Sequence, residues 1–201
     1  MMHSTTPVRR VLIARHGETD WNSAGRLQGA TDVPLNERGR AQAQALGELL
    51  SGRGIAAVAS SPLARARETA QIAAAHVGAP LRYADADLAE RRFGAFEGLT
   101  RAECEARDAA SFQAWVRDMR AAPPGAEPFE VLVARMQRAL ARAARELATA
   151  DAPALVVSHG QALRAVLTAL GPGPVAPIAN GAVYAIVVAG DAVVEATPLV
   201  P

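Results

Sequence analysis

Three short runs carry most of the residues able to do chemistry: Arg15-His16-Gly17-Glu18-Thr19, Ser60-Ser61-Pro62-Leu63-Ala64-Arg65 and Ser158-His159-Gly160. Arginine gives a phosphoryl dianion planar, bidentate, permanently charged contacts, and a glycine beside each histidine would let a ligand approach the backbone. Among arginines the neutral form of a histidine is favoured, and a neutral imidazole nitrogen is a competent nucleophile toward phosphorus. The pattern points to a phosphohistidine intermediate, with the second histidine donating to a further oxygen. Phosphoryl transfer needs mainly positioning and charge neutralisation, which arginines supply without a metal. The departing oxygen also needs a proton, and a carboxyl near the leaving group is a suitable source. Glu90, in a loop-like stretch just before the Gly94 and Gly98 pair, is the candidate.

For these runs to meet, they must sit at the same ends of neighbouring strands. Residues 8–14, 55–59 and 154–157 read as short buried strands, each followed by one of the reactive runs. Asn36 is a fitting N-cap for a first helix that ends near Leu50, and residues 63–77 read as a second. A short strand at 81–83 precedes a polar loop. Helices follow at about 101–119 and 128–149, separated by Pro123-Pro124-Gly125, and a last helix at 161–170 is closed by Gly171 and Pro172. Residues 183–188 and 193–196 alternate around Gly190-Asp191, a two-residue hairpin signal. Strands alternating with helices predict a mostly parallel sheet covered on both faces, a three-layer α/β/α architecture whose closing hairpin adds an antiparallel edge. Ligands of such sheets sit beyond the C-terminal ends of the strands, where the three runs lie.

The blocks ARHGETDWN at 14–22, GRLQGATDVPLNERGRAQA at 25–43, SSPLARARETA at 60–70, LAERRFGAFEG at 88–98, PPGAEPF at 123–129 and VVSHGQALR at 156–164 together resemble the histidine phosphatase superfamily, in its phosphoglycerate mutase-like branch. They lie in that family's order from residue 11 to about 183. The resemblance implies that His16 is the phosphorylated nucleophile, that Arg15, Arg65 and His159 surround the phosphoryl group, and that Glu90 is the proton donor. It further implies substrate contacts from Asn22 and from the backbone at Gly160, a cap over residues 85–127 of a single 1–201 domain, and no metal or organic cofactor. Phe96 stands where the family often has tryptophan, and Ala126 with Pro128 replaces a more usual Gly-Glu-Ser run. These departures bear on the lid and distal pocket, and so on the substrate more than on the chemistry.

Composition narrows the alternatives. The 201 residues carry 21 basic and 20 acidic side chains, a net charge of +1 that gathers neither nucleic acid nor an acidic membrane. Every basic residue except histidine is arginine and lysine is absent, so no phosphate-binding loop of the G-x-x-x-x-G-K-[ST] type exists. No apolar run reaches the ~20 residues a membrane span requires, and residues 1–10 do not read as a signal peptide. The single Cys104 has neither a disulfide partner nor a metal-ligand neighbour, which fits a reducing cytoplasm. Arg67, Glu18 and the set Arg101, Arg107, Arg117 and Arg120 read as structural or solvated, though the last set could line a cap that selects anionic substrates. His3 and His76 have no supporting pattern. The expected function is a phosphatase acting on a small phosphorylated metabolite. The alternatives are a phosphoglycerate mutase and a non-catalytic phosphate-binding or phosphoprotein-binding module. The resemblance implies a longer cap and tail for a mutase than the 98–123 stretch and ATPLVP provide, which favours the phosphatase, and a homodimer through helices or sheet edge is compatible with the sequence.

Overall fold

A computed structural model of the chain describes residues 7–171 and 175–199. In chain order the elements are β1 (Val8–Arg15), α1 (Asp20–Ser23), α2 (Glu37–Leu50), β2 (Ala57–Ser60), α3 (Ala64–Val77), β3 (Leu81–Ala84), α4 (Arg101–Arg107), α5 (Ala109–Arg117), α6 (Phe129–Glu146), β4 (Ala154–Ser158), α7 (Gly160–Leu170), β5 (Val183–Ala189) and β6 (Ala192–Leu199). The strands form one sheet in the order β3-β2-β4-β1-β5-β6. The four strands from β3 to β1 are parallel, while β5 and β6 run antiparallel as the expected hairpin.

Strand periodicity divides the core between the two faces. Val11 and Ile13 of β1, with Ala154 and Val156 of β4, pack beneath α6 and α7 against Leu132, Met136, Leu140 and Leu163. Leu12 and Ala14, with Leu155 and Val157, face α2 and α3 and meet Leu46, Leu50 and the alanine row Ala66, Ala70 and Ala73. Both faces are covered at the centre of the sheet, so β2, β4 and β1 from Val11 to Ala14 are buried without alternation, and the three-layer α/β/α expectation holds. A third cluster, Phe93, Phe96, Cys104, Phe112 and Trp115, lies apart from both within 85–127.

The structure revises the element map in two places. Residues 101–119 are two helices, not one. Asp108 interrupts them with an extended backbone, ends α4 and caps α5 by accepting from the N–H of Ser111 at 3.0 Å. The stretch after β1 is not all loop, because Thr19 and Asn22 form a reciprocal capping box that starts the one-turn α1. Phe96 is fully buried in the third cluster beside Phe112, so that departure from the family bears on packing rather than on the distal pocket. His3, Pro172 and the last two residues of the tail lie outside the described residues. No described helix is long and apolar enough to cross a membrane.

Gly17 has a packing role that differs from the one expected. A β-carbon there would lie 2.2 Å from the carbonyl oxygen of Gly39, and one on Gly39 would lie 2.1 Å from that of Glu18. The glycines let the first turn of α2 press against the loop that carries His16; they do not open the backbone to a ligand. Both obstructing atoms are main-chain, so Gly17→Ala is expected to lower stability by about 1–3 kcal/mol. A denaturant melt of the variant measures it, and an unchanged midpoint would contradict the packing role.

Candidate active site

The sheet register brings the reactive runs together. Arg15 pairs with Ser158 and Ser60 with Val157, so His16, Ser61 and His159 each follow directly from the ends of adjacent strands. His16 and His159 meet edge to face with ring centroids 5.0 Å apart. Arg15, His16, Asn22, Arg65, Glu90 and Gly160 line one cavity, and His159, fully buried, lies behind His16. All seven residues singled out in the sequence therefore converge.

The two histidines are held in different ways. His16 Nδ1 lies 2.6 Å from the carbonyl oxygen of Gly17, which can only accept, so Nδ1 carries the proton and Nε2 keeps its lone pair. His159 is held at the other nitrogen, with Nε2 2.7 Å from Ser61 Oγ. Ser61 Oγ accepts from the N–H of Leu63 at 3.3 Å, and its own proton has no acceptor besides Nε2 among the described residues, so the network assigns the serine proton to Nε2 and leaves Nδ1 as a donor. Burial, then the charges of Arg15 and Arg65, holds His16 well below the usual histidine range. Burial, then Arg65, His16 and Arg15, does the same for His159.

This neutrality has a thermodynamic consequence. Below about pH 6.5 the unfolded chain takes up protons at both histidines while the folded chain does not, so stability falls as pH falls through that range. Each histidine contributes at most about 1.4 kcal/mol per pH unit. Denaturant midpoints at pH 7 and 5.5 should show the loss, and a flat profile would mean that the folded histidines are charged.

The cations are fixed by main-chain oxygens rather than by carboxylates. Arg65 is fully buried and donates from Nη1 to Thr31 O and from Nη2 to Gly29 O, at 2.8 and 2.9 Å. Arg15 donates from Nη1 to Ile178 O. Both Nε–H groups are left without a protein partner, as is His159 Nδ1, and all three are buried. Asn22 accepts at Oδ1 from Thr19 and Asn180, so its amide nitrogen is the group it can offer a ligand. Gly160 makes room for an arginine, since a β-carbon there would lie 3.1 Å from Arg15 Nε.

Glu90, in the segment after β3, lines the same cavity and is held against the start of α7. Its Oε1 accepts from the N–H groups of Arg91 and Ala162 and its Oε2 from that of Gln161, at 2.8, 2.9 and 3.1 Å. The segment carrying it is fastened by Arg135, which the sequence did not single out. Arg135 donates to the carbonyl oxygens of Asp87, Ala89 and Glu90 and to both oxygens of buried Glu127. Burial opposes the charge on Glu127, yet the hydrogen bonds and charge of Arg135 outweigh it and hold the carboxyl below its ordinary range. Arg135→Met is expected to cost about 3–5 kcal/mol by leaving Glu127 buried and unpaired. Adding Glu127→Gln should recover part of that loss in urea unfolding, whereas additive losses would contradict the pairing.

Sequence reasoning missed other lining residues: Arg26, Gln28, Phe93, Gln161 and Arg164. Gln161 and Arg164 were findable, because they lie in the first turns of the helix that follows His159. Glu18 has the scaffold role expected of it, with Oε1 accepting from Asn36 Nδ2 at 3.1 Å. Arg67 and His76 are exposed, and Cys104 is buried, its thiol pushed up by burial and by Glu103. Among the described residues, no three histidine, cysteine or acidic side chains are grouped to hold a metal ion.

Bifunctional protein Rv2228c of Mycobacterium tuberculosis is 40% identical over 163 residues, 81% of this chain but only 44% of that protein's length. The 2,3-bisphosphoglycerate-dependent phosphoglycerate mutase 2 of Gloeobacter violaceus is 35% identical over 80% of this chain and 74% of its own. A solved structure of mycobacterial glucosyl-3-phosphoglycerate phosphatase complexed with VO3 superposes with a TM-score of 0.80 at 33% identity, covering 89% of this chain and 92% of the other. Residues 11–194 match the histidine phosphatase superfamily, branch 1, and the chain belongs to that family.

Proposed function

We propose that the protein is a phosphomonoesterase that works through a phosphohistidine at His16. The observation that carries this reading is the set of three buried, unpartnered donors, Arg15 Nε, Arg65 Nε and His159 Nδ1, gathered around a neutral histidine with a free Nε2. Buried donors are almost always satisfied, and a phosphoryl group would satisfy these together.

In the first step His16 Nε2 attacks phosphorus, the bond to the ester oxygen breaks, and Glu90 gives that oxygen its proton. In the second step water attacks the phosphohistidine, Glu90 takes the water proton, and the P–N bond breaks to release inorganic phosphate and neutral His16. The arginines carry the charge on the equatorial oxygens in both steps, which is the main demand of phosphoryl transfer. No step requires a metal. The third hydrophobic cluster acts as a cap, contributing Phe93 to the cavity wall. The substrate is a small phosphorylated metabolite in a reducing cytoplasm, a setting supported by a lone buried Cys104.

A mutase would use the same residues, and the 35% identity to a phosphoglycerate mutase keeps that reading in view. One preparation, assayed with EDTA present, separates the two. Phosphate release from a panel of phosphomonoesters supports the proposal. Conversion of 3-phosphoglycerate to 2-phosphoglycerate without release overturns it in favour of the mutase, and the absence of both reactions overturns it in favour of a binding module.

A further inference from the structure

Arg65 is gripped by the main chain of a single turn, so whatever fixes that turn also aims the guanidinium. Nη1 and Nη2 donate to Thr31 O and Gly29 O, while the buried Nε–H has no protein partner and is left for a ligand. The turn is closed by the N–H of Thr31 donating to Gln28 O at 3.0 Å. Glu97 reaches it from the far side of the cavity. Its Oε1 accepts from the N–H of Ala30 at 3.3 Å and from that of Phe93 at 2.9 Å. Gln28 and Phe93 both line the cavity, so one carboxylate oxygen joins two of its walls. We propose that Glu97 is a positioning residue for Arg65, setting the turn whose carbonyl oxygens aim the guanidinium at the phosphoryl group. The inference rests on the phosphomonoesterase reading and adds a residue to its machinery.

Gly29 carries the second, independent sign of this role. Its backbone is left-handed, at φ +53°, and a β-carbon there would collide with the Glu97 carboxylate. The missing side chain therefore makes the seat for Glu97. If the seat were vacated, glycine would let the turn relax, and Gly29 O, the acceptor of Arg65 Nη2, would move with it.

The ends of the turn do not depend on Glu97. Leu27 exchanges main-chain hydrogen bonds with Gly98 and Leu99, and Asp32 Oδ1 accepts from the N–H of Ala64 at 2.7 Å. A chain lacking the carboxylate should fold with both ends in place and the middle loosened. Reach matters here more than charge. Burial lowers Arg65 from its ordinary range, and of the carboxylates that oppose this, Glu90 and Asp32 act more strongly than Glu97.

Three substitutions separate reach from charge. Glu97→Gln keeps the accepting oxygen and loses the charge, Glu97→Asp keeps the charge and withdraws the oxygen by one methylene, and Glu97→Leu loses both. The measurements are kcat/KM for p-nitrophenyl phosphate and calorimetric affinity for inorganic phosphate, with folding checked by urea midpoint. Glu97→Leu and Glu97→Asp should lower both by about 10–100-fold, as expected when a phosphate-binding group is misplaced. Glu97→Gln should stay within about threefold of the unaltered protein. In an Arg65→Met background, or Arg65→Lys should that chain not fold, Glu97→Asp should cost almost nothing further, because the group it positions is gone. A general structural role would instead give the same factor in both backgrounds. That equality overturns the proposal, as does damage by Glu97→Gln equal to that by Glu97→Asp, or no loss in Glu97→Asp. If the unaltered protein binds phosphate but hydrolyses no phosphomonoester, the phosphomonoesterase reading falls and phosphate affinity alone decides the role of Glu97. If it does neither, both are overturned.

Discussion

His16→Ala is expected to lower phosphate release by about four orders of magnitude or more and to abolish the phosphoenzyme, while the protein still folds. The size follows from removing the only atom proposed to bond to phosphorus, a type of loss that reaches about 10⁶-fold in other nucleophilic enzymes. Folding should survive because the backbone of His16 is held independently of its ring. Its N–H donates to Ser158 O, and its carbonyl accepts from Asn180 Nδ2, both at 3.0 Å. The arginines remain, so a small residual rate from direct attack by water is expected.

The companion variant His159→Ala separates the two rings. His159 Nε2 is occupied by Ser61, and only its Nδ1 is available, as a donor. That variant should bind and turn over substrate poorly but still trap label on His16, seen as acid-labile phosphate by mass spectrometry. Near-native turnover of any phosphomonoester by His16→Ala, or label that persists in it, would overturn the mechanism.

Why the sequence located the centre of the candidate site is visible in the register. A strand run ended by Arg-His-Gly and another ended by Ser-His-Gly announce equal levels in a parallel sheet, and β1 and β4 pair with Arg15 opposite Ser158. The 85–127 segment was less legible. A break at Asp108 depends on one aspartate competing with helix propagation, and periodicity across residues 101–119 does not register it. Arg91 and Arg135 were hidden for another reason: in a chain whose only cationic side chains besides histidine are arginines, arginine carries no signal by itself. Burial distinguishes them. Arg91 is fully buried, donating to the carbonyl oxygens of Met119, Ala121 and Glu127, and thereby ties the Glu90 segment to the residues on either side of Pro123-Pro124-Gly125. One glycine misled in the opposite direction. Gly17 beside His16 suggested room for a ligand, but its missing β-carbon admits Gly39, whereas Gly160 lines the cavity and also leaves room for Arg15.

Glu90→Gln is expected to slow alkyl phosphate hydrolysis by about 10²–10⁴-fold and p-nitrophenyl phosphate hydrolysis far less. The contrast matters because the structure gives Glu90 a second occupation. Its two oxygens accept three backbone N–H groups, two of them in the first turn of α7, so it also fastens the helix that follows His159. Glutamine keeps one carbonyl oxygen for Arg91 and Ala162 but presents an amide N–H to Gln161, which costs about 1–3 kcal/mol of stability whatever the catalytic role. Loss of anchoring would disturb Arg15, His159 and the phosphate site together, and would therefore depress every substrate by a similar factor. Loss of a proton donor acts only where the leaving oxygen needs the proton, strongly for an alkoxide and weakly for nitrophenolate, which departs readily as the anion. A steep dependence of the variant's rate on leaving-group acidity, against a shallow one for the unaltered protein, would support Glu90 as the acid. Parallel slopes would reduce it to an anchor, and the proton would then have to come from solvent or from another group at the cavity.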